Sequence, residues 1–103
     1  ENIADNGGLN VAYQALQNTM KTKKGETLEG FTPEQRFFLS FGLIWAQNIR
    51  PEQMRMLNKM DPHAPARWRV NAALPQIDAW YKAFNITPKD PLFVPKAKRV
   101  DVW

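Results

Sequence analysis

The stretch FTPEQRFFLSFGLIWA, residues 31–46, decides the fold of this chain. Thr32 is a favourable N-cap, Pro33 suits the first helical position, and Gln35 follows the cap by three residues, which is the capping-box pattern of a helix start. The apolar residues that follow wrap most of the circumference of a helix that the pattern extends to Ile49. Such a helix needs cover on nearly all sides, and the rest of the chain offers only a few short helices. We therefore expect other segments of a larger protein to supply the cover, so that the chain is a fragment.

Proline and glycine divide the remaining sequence into further helices, and strand signals are nearly absent. The first helix is predicted over about residues 1–21, and it breaks at Gly7 and Gly8 if it breaks at all. Another begins at Pro51, reaches about Lys59 and has an apolar side made of Met54, Leu57 and Met60.

The last predicted helix starts near Pro75 and packs Ile77, Trp80, Tyr81 and Phe84. Beyond Asn85, three further prolines exclude a regular helix as far as Trp103. The sequence therefore predicts a mainly α fold with an extended, proline-rich tail.

Length and composition place the chain among globular proteins with one domain. It has 103 residues, 44% of them hydrophobic, with four Trp, six Phe and two Tyr, so we expect a single packed domain over residues 1–103. No apolar run approaches the roughly 18 residues that span a bilayer, which predicts no membrane segment in this chain. The absence of cysteine excludes disulfides and thiolate metal sites and leaves the compartment open.

The net charge of +4 comes largely from two basic clusters, KTKK at residues 21–24 and KAKR at residues 96–99. Both are short, they are far apart in sequence, and acidic residues flank them. This pattern is typical of solvated loop charges and predicts no nucleic-acid partner. The alternative is a small basic domain that binds protein or nucleic acid.

The opening stretch ENIAD, residues 1–5, holds two carboxylates one helical turn apart. Glu1 and Asp5 then share a helix face beside the apolar stripe and point toward the core. A buried carboxylate is costly unless it is paired or bound to a metal, so one interpretation makes Glu1 a metal ligand and Asp5 the carboxylate that orients an imidazole ligand. The alternative is a helix that begins at Gly7, capped by Asp5 or Asn6. A zinc site needs three protein ligands and the sequence contains no HExxH, so any partner ligands of Glu1 lie upstream.

The stretch DPHAPARWRVN, residues 61–71, contains the only histidine, His63, together with Arg67 and Arg69. Two prolines stiffen the predicted loop. Histidine donates to a developing negative oxygen, and arginine clamps a carbonyl or carboxylate, so the loop suits oxyanion stabilisation. The alternative is a surface loop in which Asp61 caps a turn and the arginines pair with nearby acids.

Four stretches taken together are more specific than any one of them. In order along the chain they are ENIADNGGLNVAYQAL, FTPEQRFFLSFGLIWA, DPHAPARWRVN and the closing VDVW. They resemble the C-terminal part of the neprilysin family of zinc metallopeptidases, which includes endothelin-converting enzymes and bacterial oligopeptidases. The resemblance implies the helical C-terminal part of a thermolysin-like, gluzincin catalytic domain. It also implies an endopeptidase or oligopeptidase that acts on small peptides and prefers to cut before a hydrophobic residue.

The resemblance implies a role for each of four residues. Glu1 matches the third ligand of one Zn²⁺, whose other two ligands are the histidines of an HExxH helix in the upstream part of the enzyme. Asp5 matches the carboxylate that orients one of those histidines. His63 matches the residue that stabilises the tetrahedral transition state, and Arg69 the one that binds the substrate carbonyl near the scissile bond. Because this chain lacks HExxH, we expect it to be inactive alone.

Two departures from the family pattern bear on the source of the chain. Ala46 and Val100 stand where the resemblance places cysteines in animal members, which points to a bacterial-type member. We expect that member in the cell envelope, in the periplasm or secreted, with the cytoplasm as the alternative. The alternative function is a non-catalytic helical binding module that descends from the peptidase fold.

Overall fold

The computed structural model describes residues 1–102, which form five α-helices and two 3₁₀ turns. The helices are α1 (Asn2–Thr22), α2 (Pro33–Ile44), α3 (Pro51–Met60), α4 (Ala66–Asn71) and α5 (Asp78–Phe84), and the 3₁₀ turns are Leu74–Gln76 and Lys96–Lys98. In this part of the chain, β pairing is limited to an isolated bridge between Leu28 and Phe31. The mainly α prediction is therefore confirmed, whereas Trp103 at the end of the predicted tail lies outside the described residues.

The first helix, α1, is continuous through Gly7 and Gly8. The amide of Asp5 donates to the Glu1 carbonyl at 2.8 Å, so the helix is already formed at its first turn. The predicted break is wrong, and so is the alternative of a helix that begins at Gly7 with Asp5 or Asn6 as its cap. The physical reason is that both of these side chains form long-range hydrogen bonds and are not free to cap a helix start.

The second helix, α2, begins as predicted. Thr32 Oγ1 accepts from the Gln35 amide at 3.2 Å, and Gln35 Oε1 accepts from the Thr32 amide at 3.0 Å, which completes the capping box. The helix ends at Ile44 rather than at Ile49. The Ala46 amide donates to the Leu43 carbonyl at 3.0 Å, and this tighter i→i+3 turn ends the α-helical hydrogen-bond pattern.

The core lies where α2 meets α5 and the 3₁₀ turn Leu74–Gln76. Phe38 of α2 and Ile77 are each 2% exposed, and the other core members are Leu9, Ala73, Leu74, Trp80 and Tyr81. Tyr13 of α1 stacks on Phe38 with ring centroids 5.5 Å apart, which ties the long helix to this core. Within residues 1–102, no helix combines the length and apolar character needed to cross a membrane.

The outer face of α2 is apolar and uncovered. Leu39 is 44% exposed, Leu43 is 76% exposed and Ile44 is 75% exposed. Phe38 is fully buried, while these three apolar neighbours contact solvent. A helix with apolar residues on nearly all sides cannot be covered by one small layer of helices.

Three sequence-based boundaries need correction. Met60 is 78% exposed, so it does not belong to the buried side predicted for α3. The last helix begins at Asp78, because Pro75 lies in a 3₁₀ turn. The segment predicted as one rigid loop contains a short helix, α4, whose Arg69 amide donates to the Pro65 carbonyl at 3.2 Å. Because proline is well tolerated at a helix start, Pro65 favours a helix at this position, where the sequence analysis predicts a loop.

The tail after α5 contains no α-helix up to residue 102, as its prolines predict. In its basic cluster Lys96 and Lys98 are exposed, as predicted, whereas Arg99 is not a solvated charge. The Arg99 guanidinium lies 3.4 Å from the centroid of the Tyr81 ring and donates to Asp78 Oδ1 at 2.7 Å, and the Arg99 side chain is 12% exposed. Lys96 Nζ lies 3.0 Å from the other oxygen of Asp78. Two cations therefore converge on one carboxylate.

Replacing Asp78 should change how the stability of the chain depends on pH. The hydrogen bond from Arg99, and then the one from Lys96, hold the pKa of Asp78 below its ordinary value. A carboxyl whose folded-state pKa is lowered stabilises the fold above its unfolded pKa of about 3.9, and this contribution is lost as the pH falls through the lowered value. In urea unfolding, Asp78→Asn should lower the midpoint at pH 7, and the midpoints of the variant and the wild type should converge at an acidic pH below the lowered pKa of Asp78. Equal midpoints at both pH values would contradict this assignment.

Candidate functional site

Four residues singled out from the sequence converge on one corner of the molecule. Glu1 and Asp5 come from the start of α1, His63 from the loop between α3 and α4, and Arg69 from α4. The contacts that hold this corner together join residues far apart in sequence. Glu1 binds the amide of Ala64, 63 positions away, and Asp5 binds Arg69, 64 positions away. We call these four residues the α1–α4 cluster.

The strongest interaction in the cluster joins Asp5 and Arg69. Arg69 Nε donates to Asp5 Oδ2 at 2.6 Å, and Nη2 donates to Oδ1 at 2.7 Å, so the pair is bidentate. The Asp5 side chain is 11% exposed and that of Arg69 is 16% exposed. The hydrogen bond to Asp5 raises the pKa of Arg69 further above its ordinary value, so the guanidinium is charged at every working pH. This is the geometry in which arginine recognises a carboxylate most specifically.

Glu1 precedes the first turn of α1 and lies at the rim of the cluster. Its Oε1 lies 3.0 Å from His63 Nε2, and its Oε2 accepts from the amide of Ala64 at 3.2 Å. Arg69 Nη1 lies 3.9 Å from the same Oε2. A third of the Glu1 side chain is exposed, so the prediction that both acids point toward the core is right for Asp5 and wrong for Glu1. The reason is that Glu1 precedes α1 and so lies beyond the part of the helix that packs on the core.

His63 has two carboxylate neighbours. Its Nδ1 lies 2.6 Å from Asp61 Oδ1, and its Nε2 faces Glu1. The same Asp61 oxygen accepts from the His63 amide at 2.9 Å, which is the turn-capping contact expected of Asp61. These bonds, the backbone one first, hold the pKa of Asp61 below its ordinary value. Both ring nitrogens of His63 therefore face a carboxylate oxygen.

Sequence reasoning missed two contributors to the cluster. The Trp45 ring lies under Arg69, with the guanidinium carbon 4.1 Å from the ring centroid, and this cation–π contact fixes the plane of the guanidinium. The sequence analysis predicts Asp61 only as a turn cap, yet its carboxylate also contacts the His63 ring. The spacing of Asp61 and His63 was visible in the sequence, whereas nothing in the sequence paired Trp45 with Arg69.

A cleft of about 400 Å³ adjoins His63. It lies between the end of α2, one side of α3 and the loop that carries His63, and its walls are mostly apolar, with Ile44, Met54 and Leu57 among them. A concave apolar surface beside a few polar groups is the usual form of a site for a small ligand or a peptide side chain.

The donor set of the cluster fits a metal only in part. Among residues 1–102, no group of three or more His, Cys, Asp or Glu side chains is arranged to hold a metal ion. A carboxylate such as Glu1, one-third exposed at the rim of the cluster, is nonetheless an ordinary zinc ligand.

Comparisons with known proteins show which family and which proteins this chain is similar to. The pattern that defines peptidase family M13 matches residues 1–100. Endothelin-converting enzyme 1 of Homo sapiens is 39% identical over 107 aligned residues, which cover 100% of this chain and 14% of that enzyme. Neprilysin of Oryctolagus cuniculus is likewise 39% identical and covers 100% of this chain with 14% of its own length.

A solved structure is similar in fold as well as in sequence. The zinc metalloprotease Zmp1 of Mycobacterium tuberculosis, in its open state, superposes with a TM-score of 0.92 at 34% identity and covers 99% of this chain with 16% of its own. The helical fold of this chain is thus the fold of that part of a zinc metalloprotease. The chain spans only 14–16% of the length of these relatives.

Proposed function

This chain belongs to peptidase family M13, and we propose on that basis that it is the part of a zinc-dependent endopeptidase or oligopeptidase that supplies one zinc ligand and two substrate-facing groups. The observation that carries the proposal is the convergence of the α1–α4 cluster. Its members come from three separate segments, yet each lies within 4 Å of another. Packing alone does not require two carboxylates, a histidine and an arginine at one corner.

Glu1 is the zinc ligand that we assign to this chain, and two histidines of an HExxH helix upstream complete the set. Bound zinc would polarise the scissile carbonyl and activate a water molecule. Asp5 orients one of those histidines. Its two oxygens accept from Arg69, but a carboxylate has about four acceptor positions, so capacity for an imidazole N–H is left.

His63 and Arg69 are the groups that we assign to the substrate. Asp61 holds His63 Nδ1, which leaves Nε2 directed at Glu1, toward the proposed metal position. An N–H there donates to the oxygen that becomes negative in the transition state. Arg69 uses Nε and Nη2 on Asp5, so Nη1, which faces Glu1, is the group for a substrate carbonyl.

The partners that we propose are the upstream part of the same enzyme and small peptides. The upstream part covers the apolar face of α2, where Leu43 and Ile44 are more than 70% exposed. A hydrophobic side chain of the peptide, on the leaving side of the cut bond, fits the apolar cleft beside His63. The chain holds no cysteine, and we propose a bacterial-type member; its location in the envelope, the periplasm or the medium stays a prediction.

The proposal is tested with the full-length protein and an internally quenched peptide that carries one hydrophobic residue at its centre. Cleavage should occur before that residue, should stop when 1,10-phenanthroline removes the metal and should return when zinc is added. A full-length protein that binds the peptide without cutting it would favour the non-catalytic binding module instead.

Replacing Arg69 should slow turnover without releasing zinc. A hydrogen bond to a charged group is worth about 1.5–3 kcal/mol, so we expect Arg69→Ala to lower kcat/KM by roughly 10- to 100-fold. Arg69→Lys should recover little, because lysine keeps the charge and loses the fork that binds Asp5. The matched control is Arg67→Ala, two positions away on α4, where the side chain is exposed. Equal losses for the two alanine variants would remove Arg69 from the substrate site.

A further inference from the structure

A buried polar side chain lies directly after Asp5. Asn6 is 3% exposed, and among residues 1–102 it is the only polar residue in the buried class. Its Nδ2 donates to the carbonyl of Val100 at 2.9 Å, a contact between positions 94 residues apart. Its Oδ1 lies 3.4 Å from Asn10 Nδ2. A buried amide is costly unless it is hydrogen-bonded, so the bond to Val100 offsets the cost of burying the Asn6 side chain.

The peptide group that Asn6 binds is itself held from the other side. The Val100 amide donates to Gln76 Oε1 at 2.9 Å, and Gln76 ends the 3₁₀ turn that follows α4. The neighbouring Arg99 is anchored on Tyr81 and Asp78. One tail residue therefore connects the start of α1 to the segment that follows α4.

The first of these segments carries Asp5, and the second follows α4, the helix that carries its partner Arg69. An α-helix has 3.6 residues per turn, so fixing the rotation of α1 at Asn6 also fixes the direction of Asp5 beside it, and it sets where the helix begins relative to Glu1, which precedes the helix. The pair has bonds of 2.6 and 2.7 Å, and a small rotation of α1 would lengthen both. Glu1 is more sensitive still, because it precedes the helix and has no packed face of its own.

We infer that Asn6 is a positioning residue, which, by binding the Val100 carbonyl, holds the first turn of α1 so that Glu1 and Asp5 face His63 and Arg69. The tail is then part of the apparatus that sets the zinc affinity of the enzyme, although it contains no ligand. This inference rests on the proposed role of Glu1 as a zinc ligand.

The test compares Asn6→Asp with Asn18→Asp in the full-length enzyme. Asn6→Asp keeps the shape of the side chain, removes the donor and sets an oxygen against the Val100 carbonyl. Asn18→Asp makes the same change at an exposed position of α1. We expect the zinc dissociation constant, measured by chelator competition, to rise roughly 10- to 100-fold for Asn6→Asp, as for the loss of an outer partner of a metal ligand, and to stay unchanged for Asn18→Asp. Added negative charge near the metal would by itself tighten binding, so the expected sign cannot come from charge.

A purely structural Asn6 predicts a different result. The thermal midpoint of Asn6→Asp would then fall while the zinc affinity of the folded protein and kcat at saturating zinc stayed at the wild-type values, and this outcome overturns the inference. Including Glu1→Ala in the same titration separates the two proposals. If Glu1→Ala keeps zinc, the ligand assignment has failed; if Glu1→Ala loses zinc and Asn6→Asp does not, only the positioning role has failed.

A second variant approaches the same bond from the tail. A chain that ends at Arg99 lacks the carbonyl that Asn6 binds and the amide that Gln76 binds, so it should weaken zinc binding at least as much as Asn6→Asp. Adding Asn6→Asp to this truncation should weaken it no further, since the bond that Asn6 makes is already absent. Fully additive losses would show that the tail and Asn6 act separately and would overturn the inference.

Discussion

Glu1→Ala in the full-length enzyme is expected to lose its zinc during purification and to show no peptide hydrolysis. The loss of zinc affinity should exceed the roughly 10- to 100-fold loss that follows removal of an outer partner of a metal ligand, because Glu1→Ala removes the proposed ligand itself. Zinc content per protein, measured by atomic absorption or mass spectrometry after dialysis, is the primary readout. Activity is the secondary one.

Two further variants make the Glu1 result specific. Glu1→Gln keeps the size of the side chain and its contact with the Ala64 amide but removes the anionic charge, so it should also lose zinc. Glu26→Ala removes an exposed carboxylate far from the cluster in sequence and should keep zinc fully. Full zinc occupancy in Glu1→Ala would contradict the ligand assignment and, with it, the proposed shared metal site.

His63→Ala is expected to keep its zinc and to lose roughly 10²- to 10³-fold in kcat, which is the usual cost of removing one donor to a developing oxyanion. KM should change little, since the donor acts mainly when charge appears on the substrate oxygen. Steady-state kinetics on the quenched peptide, together with zinc analysis of the same sample, separates this effect from metal loss.

Asp61→Asn is the informative companion to His63→Ala. It keeps a polar group beside His63 Nδ1 but removes the negative charge of the carboxylate that the ring contacts there. We expect a smaller fall in kcat than for His63→Ala and no change in zinc content. Normal hydrolysis by the His63 variant would remove that residue from the mechanism, whatever the Asp61 variant does.

Local signals in the sequence predicted the helices well where the residues that decide a boundary lie within one turn. The capping box at Thr32 and Gln35 is such a case, and the structure confirms it bond by bond. The errors occurred where a distant contact decided the outcome. Gly7 and Gly8 did not break α1, because Asp5 and Asn6 form hydrogen bonds to residues 64 and 94 positions away instead of capping a new helix.

The candidate site was predictable in its membership and not in its pairing. Residue chemistry and resemblance singled out Glu1, Asp5, His63 and Arg69, and the structure places them together. Nothing in the sequence indicates that Arg69 binds Asp5 from a helix, lies on Trp45 and leaves its Nη1 facing Glu1. Those facts depend on how α1, α2 and α4 pack.

By itself the sequence determined the helical class, the start of α2, the family and the residue types of the α1–α4 cluster, because each of these is encoded in residue types and spacings within short stretches. Only the tertiary structure decided that Glu1 lies at the rim while Asp5 is nearly buried, and that Asn6 joins the tail to the first turn of α1. Each of these rests on contacts between residues far apart in the chain, and their free energy is gained only once the helices have packed.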